Sequence, residues 1–173
     1  YQDSSSHRSA SCKTQTTCGK GQLISNDSKV APRTCSACGT NQYRDVDGHR
    51  HTSCVTQATC GKGKKISSDT KIAIRSCESC EGDTFQTSAS HRSQTCDARS
   101  SCGRGEKVQS HGDFQTDRTC ESCEGDTYQI LVSHRSKLCV PRRICGPGTY
   151  VKFDGSFTAN RECAACTGDT YQD

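Results

Sequence analysis

The stretch Cys77-Glu-Ser-Cys80-Glu-Gly-Asp-Thr-Phe85, followed by His91-Arg92, then Cys96 and Cys102 with five residues between them, decides the fold. It is one turn of a repeating pattern. The same order runs from Cys35 and Cys38 through Tyr43, His49-Arg50 and Cys54 to Cys60, and from Cys120 and Cys123 through Tyr128, His134-Arg135 and Cys139 to Cys145. Cys-Gly-x-Gly recurs at Cys18-Gly19, Cys60-Gly61, Cys102-Gly103 and Cys145-Gly146. Arg-x-Cys-x-x-Cys recurs with Arg33, Arg75, Arg118 and Arg161 at its head. Self-similarity at a period of about 40 residues marks an array of small units, each contacting only its neighbours.

Working outward from an aromatic at each unit's start, the chain divides into 1–42, 43–84, 85–127 and 128–170, of 42, 42, 43 and 43 residues. A fifth unit opens at Tyr171-Gln172-Asp173, an echo of Tyr1-Gln2-Asp3. Both ends therefore fall at one phase of the repeat, as expected for a window cut from a longer array.

Composition excludes a conventional core. Leu, Ile, Val and Phe number only 20 of 173 residues, with no Trp and no Met. Such a chain buries too little apolar area to offset its conformational entropy. Sixteen cysteines supply the missing restraint and imply an oxidising compartment, so the chain is expected to be extracellular or at a cell surface. No apolar run approaches the ~18 residues of a membrane span. A net charge of +4 spread over 23 basic and 19 acidic residues is a mixed surface with no nucleic-acid footprint.

The expected fold class is small and disulfide-rich: tandem elongated cysteine-rich modules with short β-strands and loops and little or no helix. Alternation at Lys71-Ile72-Ala73-Ile74 and at Tyr150-Val151-Lys152-Phe153 predicts brief strands. Each Gly-x-Gly predicts a tight turn at positive φ. Units abut without a Pro- or Gly-rich linker, which predicts a semi-rigid array.

Four cysteines per unit allow several connectivities, and spacing alone does not choose among them. Cys-x-x-Cys, three residues, Thr with Phe or Tyr, then Cys-x5-Cys resembles the cysteine-rich repeats of the tumour necrosis factor receptor family. The likeness covers essentially the whole chain. It departs from the usual six-cysteine repeat by one matched pair, and Arg stands two residues before the closing Cys-x-x-Cys. The resemblance implies the pairs Cys18–Cys35, Cys38–Cys54, Cys60–Cys77, Cys80–Cys96, Cys102–Cys120, Cys123–Cys139 and Cys145–Cys163. It leaves Cys12 and Cys166 to pair outside the segment. Each loop closed this way is worth on the order of 3 kcal/mol in the chain-entropy model.

Other chemistry is poorly served. Zinc clusters use two short chelating pairs, and Cys-x5-Cys is a poor second pair. Redox Cys-x-x-Cys motifs sit at a helix start, which nothing here supplies. The His-Arg pairs lack a serine or carboxylate at constant spacing, so the expectation is packing on the preceding aromatic or a bond to a loop carbonyl, not catalysis. One Asp in each Gly-Asp-Thr falls short of a calcium site. No enzyme activity, metal or cofactor is expected. Asn26-Asp27-Ser28 is the sole glycosylation sequon, making Asn26 an expected glycan site.

Two functions fit. The first is a structural array forming a fibre, stalk or surface filament, its partners being copies of itself or adjacent repeats. The second is a receptor-like ectodomain with a protein ligand. The regularity of the units favours the first, because receptors concentrate binding in one or two diversified repeats.

Overall fold

The computed structural model describes residues 1–6, 8–168 and 170. Among them there is no helix, and fourteen short strands form seven two-stranded antiparallel pairs. The pairs alternate in kind. The first kind is β1 (Gln22–Ile24) with β2 (Cys35–Ala37), β5 (Lys64–Ile66) with β6 (Cys77–Ser79), β9 (Glu106–Ser110) with β10 (Thr119–Ser122), and β13 (Thr149–Phe153) with β14 (Glu162–Ala165). The second kind is two residues per strand: β3 (Gln42–Tyr43) with β4 (Val55–Thr56), β7 (Thr84–Phe85) with β8 (Asp97–Ala98), and β11 (Thr127–Tyr128) with β12 (Val140–Pro141). Isolated two-stranded ribbons this short are unstable in water, so something must hold them.

Seven disulfides do so. Cys18–Cys35, Cys60–Cys77, Cys102–Cys120 and Cys145–Cys163 tie the longer hairpins. Cys38–Cys54, Cys80–Cys96 and Cys123–Cys139 tie the shorter ones. The two cysteines of each Cys-x-x-Cys thus go to different partners.

The chain forms two compact bodies, Tyr1–Ser79 with Ser88–Thr95 and Cys80–Thr87 with Cys96–Asp173. In the first, Ile24, Ile66 and the cystine sulfurs of Cys18, Cys38 and Cys60 are buried. In the second, Val108 joins Cys80, Cys102 and Cys123. Each body's core is a few cystines around an aliphatic residue or two.

The strand expected at residues 71–74 is absent. Lys71 is left-handed at φ 55°, residues 71–73 form a bend, and Ile72 and Ile74 are exposed. Tyr150 to Phe153 does lie in β13. The glycine turns are as expected at Gly21, Gly63, Gly105 and Gly148, with φ between 69° and 75°.

The extra residue of the third and fourth repeats is absorbed locally. The first-kind disulfides span 17 residues in the first two repeats and 18 in the last two. The register of β9 against β10 and of β13 against β14 shifts at a bulge. Beyond it the chain turns on Gly112 (φ 65°) or Gly155 (φ 81°).

Candidate functional site: the joints between repeats and an apolar hairpin

Three of the His-Arg pairs, at His49, His91 and His134, close a joint with the preceding repeat. His49 exchanges both backbone hydrogen bonds with Cys18, His91 with Cys60 and His134 with Cys102, all at 2.9–3.1 Å. The imidazoles repeat one arrangement. Nε2 faces the carbonyl of Gly19, Gly61 or Gly103 at 3.2, 3.1 and 3.0 Å. Nδ1 accepts the backbone N–H of His51, Ser93 or Ser136 at 3.1 Å each. The proton therefore sits on Nε2 and donates to the glycine carbonyl, while Nδ1 is committed as an acceptor. Of the two expected roles for these histidines, the bond to a loop carbonyl is the one made. His7 lies outside the described residues.

The neighbouring arginines complete the clasp. Arg50 Nη2 donates to the Gln15 carbonyl at 2.8 Å, and Arg92 Nη2 to the Gln57 carbonyl at 2.7 Å. Arg135 departs from this and pairs with Asp83 at 2.9 Å.

A second clasp sits at the Gly-Asp-Thr turn. The Arg heading the Cys-x-x-Cys reaches back to the preceding repeat in three of the four units, while Arg33 Nε donates to the Ser25 carbonyl of its own. Arg75 Nη1 donates to Asn41 Oδ1 at 3.2 Å, Arg118 Nη2 to Asp83 at 2.5 Å, and Arg161 Nη2 to Asp126 at 2.7 Å. The hydrogen bond from Arg118, aided by the charges of Arg135 and Arg99, holds the Asp83 carboxyl below its ordinary range. Beside this clasp, the backbone N–H of Gln57, Arg99 and Arg142 bonds the carbonyl of Asn41, Asp83 and Asp126.

Side chains at that last position divide the repeats into two types. Gln15 and Gln57 clamp the long loop of their own repeat, each accepting from a backbone N–H (Arg33, Arg75) and donating to a carbonyl. Arg99 and Arg142 replace them and lie over Phe114 and Phe157, at 5.5 and 5.7 Å from the ring centroids. The clamp then passes to Asp117 and Asn160. These two glutamines, Gln57 buried and Gln15 half-buried, were not singled out by sequence reasoning. Their signal was there: Gln at the third position of Cys-x5-Cys in two repeats and Arg in two.

Asn26 is exposed beside β1, and Ser28 Oγ accepts the N–H groups of Val30 and Ala31. Cys12 is exposed and Cys166 half-buried, both as free thiols. Among the described residues no cluster of three or more His, Cys, Asp or Glu could hold a metal ion. Among the described residues no helix is long and apolar enough to cross a membrane.

The chain resembles tumour necrosis factor receptor-type cysteine-rich repeats. The likeness lies in tandem strand pairs, each tied by its own disulfide. No family model and no curated protein matches the sequence. Among solved structures, a chain of the human RANKL/OPG complex is 19% identical over 96% of this chain and 97% of its own, at TM-score 0.39. A chain from a structural and biochemical study of equine lentivirus receptor 1 is 26% identical over 51% of this chain and 81% of its own, at TM-score 0.37. A chain of the mouse RANKL-OPG complex is 19% identical over 73% and 90%, at TM-score 0.33.

The surface is not regular, contrary to the expectation of equivalent units. Ten of the sixteen exposed large apolar side chains among the described residues fall within 128–170. Five of them, Ile130, Leu131, Val132, Leu138 and Val140, belong to the β11–β12 hairpin. Loop positions 130–132 are Thr87, Ser88 and Ala89 in the third repeat and Asp45, Val46 and Asp47 in the second. Val132 is 71% exposed and Leu138 78%. Gln129, itself buried, holds the loop by accepting the Leu131 N–H at 3.1 Å.

Proposed function

We propose that this chain is an extracellular receptor-like repeat array that binds a protein ligand through the β11–β12 hairpin of the fourth repeat. The observation behind this is the concentration of exposed aliphatic side chains on one hairpin. Scattered single apolar residues on a surface are ordinary, but a contiguous group is a recognition feature. A rigid scaffold presenting one diversified loop is the arrangement a binding module needs. The divergence of the fourth repeat weakens the fibre, stalk or filament reading, which rested on equivalent units. Seven disulfides suit an extracellular or cell-surface site. The four-unit division at each aromatic is retained as part of this reading, as is an N-linked glycan on exposed Asn26.

A binding screen of the oxidised chain against an array of secreted and cell-surface ectodomains tests it. The reading expects a partner whose binding falls at least about tenfold on Leu131→Glu with Val132→Glu, the loss of two apolar anchors. The same charges placed at Thr87 and Ser88 are expected to leave binding intact. A screen without partners, or binding indifferent to the hairpin, would overturn it.

A further inference from the structure

Of the three arginines that clasp a preceding repeat, two meet a counter-charge and one does not. Arg118 is 5% exposed and ion-paired with Asp83, while Asp117 Oδ1 accepts its backbone N–H. Arg161 is ion-paired with both Asp126 and Asp154. Arg75 is just as deeply buried, at 6% exposed, but its partners are neutral. Nη1 donates to Asn41 Oδ1 at 3.2 Å, where Arg118 has Asp83. Gln57 Oε1 accepts its backbone N–H, where Arg118 has Asp117. Nε donates to the Ser67 carbonyl, and Nη2 is buried with no hydrogen-bond partner in the chain. Amides and carbonyls turn their dipoles toward a guanidinium but bring no net charge, and burying an unpaired cation costs stability.

Two more cations belong to the same clasp. Lys71 Nζ donates to the Cys38 carbonyl at 2.9 Å, on the turn that carries Asn41. Arg92 is the counterpart of Arg135, which pairs with Asp83 Oδ2 at 2.9 Å. With an amide at position 41, Arg92 donates to the Gln57 carbonyl instead. Among the described residues none of Lys71, Arg75 and Arg92 is paired with a carboxylate.

We infer that Asn41, Arg75 and Arg92 form a binding site for a sulfate group, which takes the role that the Asp83 carboxylate plays in the corresponding clasp. Asp83 shows what such a ligand must offer. One of its oxygens serves Arg118 and the other Arg135, so the ligand needs two oxygens on one centre and a negative charge. Three cations with no carboxylate favour the group with more oxygens and a charge that persists at any pH at which the chain folds. Asn41 and Arg92 are half-exposed, so the group can enter from solvent and reach the buried Arg75. Free sulfate and the sulfate ester of an extracellular glycan share this chemistry. The site uses no residue of the β11–β12 hairpin, and the two proposals stand or fall separately.

The test is the thermal midpoint of the oxidised chain, titrated with millimolar sodium sulfate against sodium chloride at constant ionic strength. The expected result is a saturable rise, about 3 °C once sulfate is tenfold above its Kd. Asn41→Asp supplies the counter-charge from within. It is expected to raise the midpoint in chloride alone and to lose the saturable rise. Sulfate also stabilises folded proteins through exclusion from their surfaces, an effect common to both chains, so the difference between them is the readout. If Asn41→Asp fails to fold, Arg92→Gln serves instead and is expected to weaken the apparent sulfate affinity at least about tenfold. A heparin-derived oligosaccharide and its desulfated form, titrated in parallel, identify the source. Binding of the sulfated form alone, tighter than free sulfate, assigns the ester, and a response to inorganic sulfate alone assigns the free ion. An equal sulfate response in wild type and Asn41→Asp would refute the proposal. So would the lack of a saturable response to either probe, or a lower midpoint for Asn41→Asp in chloride.

Discussion

His134 shows how this chain manages without a large core. One buried ring fills the joint, donates to a glycine carbonyl and accepts a backbone N–H. Leucine would fill similar space but leave the Gly103 carbonyl and the Ser136 N–H without those partners. His134→Leu is expected to cost about 2 kcal/mol, read as a shift in denaturant midpoint. Asp83 carries a different load, held ionised chiefly by the Arg118 hydrogen bond. A carboxyl whose pKa is lowered by folding stabilises the fold above its unfolded value, near 4, and that contribution fades as pH falls through the lower folded value. Asp83→Asn is therefore expected to flatten the acid limb of a plot of thermal midpoint against pH, and an acid limb as steep as that of the wild type would contradict the assignment. Asn41 occupies the same position in the first body without a charge. The His-Arg positions were legible in the sequence because they repeat. Their partners were not, because Gly19 lies thirty residues before His49 and a carbonyl leaves no mark on side-chain identity.

At the scale of elements, the strands were partly legible. β13 alternates in the sequence and is a strand, whereas residues 71–74 alternate and are not. The difference is backbone competition. Arg44 donates its N–H to the Lys71 carbonyl and Lys71 Nζ reaches the Cys38 carbonyl at 2.9 Å, so residue 71 serves the joint instead of a ladder. Longer loops in the third and fourth repeats depend on single glycines. A Cβ on Gly112 would stand 2.5 Å from the Thr116 carbonyl oxygen, and one on Gly155 2.7 Å from that of Ala159. Gly48 also has positive φ, at 60°, but faces open space. Gly48→Ala is expected to cost about 1 kcal/mol for its left-handed backbone. Gly112→Ala adds a backbone clash and is expected to cost at least about twice that. Equal thermal midpoints for the two variants would contradict this account.

For the molecule as a whole, the decisive quantity is how little is buried. Among the described residues only Ile24, Ile66 and Val108 are fully buried aliphatics, beside six cystine sulfurs. That class of fold was legible from composition, since 16 cysteines accompany 20 large apolar residues. The unequal surface was legible too, in the run Ile130-Leu131-Val132, but the regular cysteine frame drew attention from it. Complete reduction is expected to abolish cooperative unfolding, seen as loss of the thermal transition and collapse of amide proton dispersion, because no remaining core offsets the chain entropy. Everything else in the account, from the histidine joints to the arginine clasps, hangs on the order in which the cysteines are paired. Proteolysis without reduction, followed by mass spectrometry of the linked peptides, tests that order most directly. The account predicts that the Cys80 peptide is joined to that of Cys96 and the Cys77 peptide to that of Cys60, so each Cys-x-x-Cys bridges two loops. A direct Cys77–Cys80 link, or a peptide joining Cys80 to Cys60, would contradict it.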